Sequence, residues 1–237
     1  MNFNWSNVQI TAVILLAIAL GIYWIISFRN ARRNEINEPR RIFAEALPLL
    51  QDAQISTGEA TGVYKLEGTY QGRFFQFKVI VDNLTARKLP SLWLMVTRPS
   101  PQPVPQMIDL MARHRGHTAF SNFDLLQHQL PLPPGFPDYV AARSDEPAGP
   151  IAWGPVMRLI PFFQSLAAKE LLISPKGLRL VVLLAEANRA RYGVFRQADF
   201  GKPVVAPDLA TELLGSLADL EDDLKRNREI GTTDARA

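Results

Sequence analysis

All three histidines of the chain, His114, His117 and His128, fall within one fifteen-residue stretch, with Asp109 and Asp124 beside them. Neutral imidazole and carboxylate are the lone-pair donors that zinc or another divalent cation takes. The spacing argues against a ready-made site. His114 and His117 would have to converge through a loop or a helix end, Gly116 favours a loop, and no H-E-x-x-H is present. No metal ligand is therefore assigned, and the histidines read as solvated loop residues. The chain has no cysteine, which excludes thiol nucleophiles, disulfides and Cys-ligated metal centres. Phosphate cradles of the G-x-x-x-x-G-K-[ST] and G-x-G-x-x-G kinds are missing, as is the G-x-S-x-G elbow. The acidic run "DLEDD" (219–223) reads as solvated charge on a helix face. No cofactor is expected, and the catalytic residues, if any exist, are unassigned.

The elements around these residues begin with an apolar run. Val8 to Phe28 carries no charge, and as a helix of about 31 Å it would match a hydrocarbon core of ~30 Å. Trp5 lies before the run and Tyr23 and Trp24 near its end, the positions of interfacial aromatics. Five arginines, including Arg29, Arg32 and Arg33, sit against two glutamates in residues 29–41, which accounts for the whole net charge of +3. Arginines on one side only predict an outside N-terminus and a cytoplasmic remainder, with the lipid bilayer as a partner of Arg29, Arg32 and Arg33. The downstream domain has no surplus cation to neutralise phosphates, so no nucleic acid is expected.

The pattern predicts a transmembrane anchor (1–28), a basic juxtamembrane linker (29–41), a soluble α+β domain (42–231) and a disordered tail (232–237). Ile42, Phe43, Ala46, Leu47, Leu49 and Leu50 share a face at helical spacing, with Pro48 as a kink. Period-two alternation predicts strands near 62–70, 73–82 and 91–97. "PQMIDLMARH" suggests a short helix near 105–114, and the proline-rich 98–155 reads mainly as connector, with one strand at 136–143. A helix split at Pro161 is expected over 155–168. "KELLISPKGLRLVVLLAEA" predicts a hairpin turning at Ser174-Pro175-Lys176-Gly177. "RYGVFR" (191–196) suggests a strand. From Pro207, the leucines 209, 213, 217, 220 and 224 make one apolar stripe, and Gly231 marks the end. The predicted fold is thus an N-terminal transmembrane helix followed by antiparallel β-hairpins packed with helices, the last an amphipathic C-terminal helix.

A span, a basic flank, the two hairpins and the C-terminal helix resemble uncharacterised bacterial single-pass membrane proteins, over most of residues 60–225. The resemblance implies a soluble C-terminal domain behind one span and carries no activity or functional residue. A motif-free, neutral domain suits a non-enzymatic interaction or scaffold role at the inner face of a cell membrane, with an unknown protein partner and an open oligomeric state. The alternative is a membrane-tethered enzyme, metal-dependent through the His114–His128 segment.

Overall fold

The computed structural model describes residues 15–23, 40–58, 63–82, 89–114, 118, 120–147, 153–195 and 198–234. The chain divides into two units, Met1–Arg41 and Ile42–Ala237. In the first, residues 15–23 are helical (α1), with Leu15, Leu16, Ile18, Leu20, Ile22 and Tyr23 exposed. This overturns the predicted anchor: among the described residues no helix is long and apolar enough to cross a membrane. A single-pass inner-membrane placement, with the N-terminus outside and a cytoplasmic domain, loses its support with the span. Trp5, Trp24, Arg29, Arg32 and Arg33 lie outside the described residues.

Among the described residues the second unit is built on one antiparallel sheet of nine strands: β1 (Gln51–Gly58), β2 (Val63–Tyr70), β3 (Arg73–Asp82), β4 (Ser91–Arg98), β5 (Ile108–Ala112), β6 (His128–Leu130), β7 (Val140–Ser144), β8 (Ala168–Ser174) and β9 (Gly177–Glu186). Their spatial order is β1-β2-β3-β4-β9-β8-β5-β7-β6. The alternating runs expected at 62–70, 73–82 and 91–97 are strands within a residue of those bounds. Pro175 and Lys176 join β8 to β9 as a two-residue loop, with Ser174 opposite Gly177. The Ser174 hydroxyl closes the turn, donating to the Gly177 carbonyl and accepting from the Lys176 N–H.

Alternation assigns the faces. Leu66, Phe75, Phe77, Val79, Leu92, Leu94, Val96, Leu110, Leu171, Leu180 and Val182 point to a first face and form the main core. Helix α5 (Pro207–Asp234) lies on β4 and β9 there. Its stripe behaves as its spacing requires: Leu213, Leu217, Leu220 and Leu224 are buried and Leu209 partly so. Short helices α2 (Trp153–Met157) and α3 (Ile160–Gln164) complete the cover, α2 against α5 and α3 against β8.

Further elements differ from the sequence reading. The helix expected from Ile42 onwards gives way to a turn and a 3-10 turn at Leu47–Leu49, and β1 follows at once; Ile42, Phe43, Ala46 and Leu50 still reach the core. "IDLMA" is not helical but β5, buried at every position between β8 and β7, where both faces are covered and alternation disappears. "RARYGVF" forms helix α4 (Arg189–Phe195) rather than a strand. Helix α5 runs past Gly231 to Asp234, over the start of the segment read as a disordered tail.

Candidate functional site

The opposite face of the sheet carries the chemistry. The strand registers align one row across all nine strands: Gln54, Glu67, Gln76, Thr97, Arg179, Leu172, Asp109, Arg143 and Gln129. Eight of these nine are polar, which is why the face repels a second apolar layer along most of its width. Over β4, β9, β8 and β5 an apolar patch interrupts it. Met95, Val181 and Met111 are buried there, together with Phe123 and Leu126, outside the main core.

The cover over this patch comes from the connection between β5 and β6. Residues 120–127 place the Phe120 ring edge-on to Trp93, 5.5 Å between centroids. Phe123 lies against His114 at 5.9 Å and beneath the Arg143 guanidinium at 4.9 Å. Between these two aromatic contacts sits Ser121. Its hydroxyl donates to Glu170 Oε1 at 2.6 Å, lies 3.4 Å from Asp109 Oδ2 and accepts the Phe123 N–H at 3.1 Å. Arg179 Nη2 donates to Glu170 at 3.1 Å.

Two carboxyls are thus buried beside one guanidinium, Asp109 at 1% and Glu170 at 0% exposure. Burial, with the neighbouring Glu170 charge, pushes the Asp109 carboxyl up to about 9. The cause is physical: two unscreened carboxylates sharing one cation cost more than one carboxylate and one neutral acid. Asp109 Oδ1 and Arg179 Nε are buried with no hydrogen-bond partner. The constellation stores a proton. It is closed to a substrate, because neither carboxyl is open to solvent.

A second ionic cluster pins α5 to the ends of β3 and β4. Glu221 is fully buried and receives Arg98 Nε at 2.8 Å, Lys225 Nζ at 2.7 Å and the Ser100 hydroxyl at 2.8 Å. Burial alone would raise its carboxyl; the Arg98, Lys225 and Ser100 hydrogen bonds overcome that and hold it at about 2. Glu221 and Lys225 pair one turn apart on α5. Asp222 takes Arg73 at 2.9 Å, which raises the Arg73 guanidinium through that hydrogen bond, and Arg226 takes Asp223 at 2.8 Å. "DLEDD" is accordingly part of an inter-element lock and not simply solvated charge.

The residues singled out in the sequence do not converge. His114 lies on Phe123 with Nδ1 buried and unpartnered, His128 begins β6 opposite Ser144, and His117 is outside the described residues. Among the described residues no three His, Asp or Glu side chains come together as a metal site. Asp124 is half exposed, 3.9 Å from Arg143. Tyr23 is exposed on α1. Glu170, Arg179 and Ser121 escaped the sequence reading. The available signal was a charged residue inside an apolar strand, as in "KELLIS" and "GLRLVV"; their meeting depends on registers between strands far apart in the chain.

The sequence matches no protein-family model, and no curated protein is significantly similar to it.

Proposed function

We propose that Ile42–Ala237 is a non-enzymatic interaction domain that takes an extended partner segment along β1. The observation that supports this reading is the one-sided pairing of β1. It is the margin of the sheet, bonded to β2 alone among the described strands. Such an edge presents unpaired backbone donors and acceptors to a further strand. The opposite margin, β6, has only three residues. A register shift between Gln51 and Gln54, with Asp52 at φ 51°, interrupts the beginning of β1 and leaves Gln54–Gly58 as the regular stretch. Five residues at ~3.4 Å each make an edge of about 17 Å.

The side chains indicate the partner's chemistry. Gln54 and Ser56 are exposed on the polar face, opposite Glu67 and Lys65, while Ile55 lies half-buried on the core face, opposite Leu66. A matching segment alternates apolar and uncharged polar residues. The test is site-specific photo-crosslinking in the cells that make the protein, with the photoreactive residue at Ser56 and, as a control, at exposed Lys176. A discrete protein adduct from Ser56 that Gln54→Lys abolishes, absent from Lys176, supports the reading. Equal labelling from both positions, or none from Ser56, overturns it.

A further inference from the structure

We propose that residues 120–127 are a strap held down on the second sheet face by the proton on Asp109, beside the buried Glu170, and released when that proton leaves. Two buried carboxyls and one guanidinium, Arg179, balance only if one carboxyl is neutral. The Ser121 hydroxyl has one hydrogen, given to Glu170 at 2.6 Å. Its 3.4 Å approach to Asp109 Oδ2 then becomes favourable only when Asp109 brings a hydrogen of its own. Asp109 Oδ1 accepts no hydrogen bond among the described residues, so an ionised Asp109 would be a buried charge without a partner on that oxygen.

The surrounding groups offer no substitute. Arg143 stands opposite Asp109 on β7, but its guanidinium lies over Phe123, donates to the Phe123 carbonyl at 3.3 Å and leans toward Asp124. Arg179 on β9 gives its Nη2 to Glu170 of β8, and its charge offsets only part of what raises the Asp109 carboxyl. Lys169 turns to the Ala112 and Arg113 carbonyls. His114, from the strap's own connection, lies tilted against Phe123. Losing the proton puts two like charges under Ser121, the residue that ties the strap to the sheet. Relief comes from lifting the strap and admitting water, which uncovers Met95, Met111 and Val181. The raised Asp109 carboxyl agrees with this order of events.

The experiment is amide hydrogen exchange on the full chain at about pH 7 and about pH 10, corrected for intrinsic base catalysis. In the wild type, protection over 120–127 falls by about tenfold or more while β3 stays protected. Asp109→Asn, which keeps a neutral side chain at all pH, holds the strap's protection constant. If Asp109→Asn shows the same fall as the wild type, or the wild type shows none, the proposal is overturned. Should Asp109→Asn fail to fold, Ser121→Ala decides: strap protection that no longer depends on pH between about pH 7 and about pH 10, with β8 and β9 intact, supports the proton-held tie, and a fall as large as the wild type's refutes it.

Discussion

At the scale of single residues the protein uses buried charge in two opposite ways. Glu221 is ionised and saturated with donors; Asp109 is neutral because its one cation is already taken. Removing a donor from the first has a predictable cost. Arg98→Ala takes the Nε donor from a carboxylate of zero exposure that keeps Lys225 and Ser100, and opens the contact with the Phe74 carbonyl, so it should destabilise the fold by about 1–3 kcal/mol, read as a lowered denaturant midpoint. Arg191→Ala, which removes an exposed partner of Asp199, should change the midpoint little. The charged positions were visible as interruptions of apolar runs. Which of them would be ionised was not, because that depends on who faces whom.

At the scale of elements, periodicity was readable wherever one face of a strand stays partly open. Strands β2, β3 and β4 and the stripe of α5 follow from spacing alone. β5 does not, since burial at all five of its positions erases the alternation that separates a strand from a short helix. "RYGVFR" offered aromatic and β-branched residues without a neighbouring strand to pair them, and propensity alone does not make a ladder. Two substitutions test the elements that were legible. Leu217→Ala, in the fully buried stripe of α5, should cost about 2–5 kcal/mol in equilibrium unfolding. Gly177→Ala should lower the melting temperature, because a Cβ there runs into the Arg98 carbonyl and meets Pro99 Cα at 3.1 Å. The hairpin turn thus depends on Gly177 for clearance as well as for its backbone angle.

At the scale of the whole molecule the two clusters set opposite flanks of the pH–stability curve. The Glu221 carboxyl sits below its unfolded value, so its contribution is present above the ordinary carboxylate range and lost as pH falls toward about 2. The Asp109 carboxyl sits above its unfolded value, so the folded state binds the extra proton and stability declines as pH rises from the ordinary carboxylate range to about 9. Denaturant melts across pH should therefore show an alkaline decline in the wild type that is shallower in Asp109→Asn. An unchanged slope would mean that the buried proton resides elsewhere. The β1 margin belongs to this scale too, since only the complete strand order reveals which strand lacks a second neighbour.

By itself the amino-acid sequence determined the local matters: which segments alternate, where Pro175 and Gly177 turn the chain, which leucines of the last helix face inward, and that no cysteine chemistry occurs. These depend on spacing along the chain, and spacing is intrinsic to a sequence. The strand order, the row of polar side chains crossing nine strands, the pairing of Asp109 with Glu170 and the half-open edge of β1 were decided by tertiary structure alone. Each is a relation between segments separated by tens of residues, and the free energy that chooses among such relations comes from burial and register, which exist only once the sheet has formed.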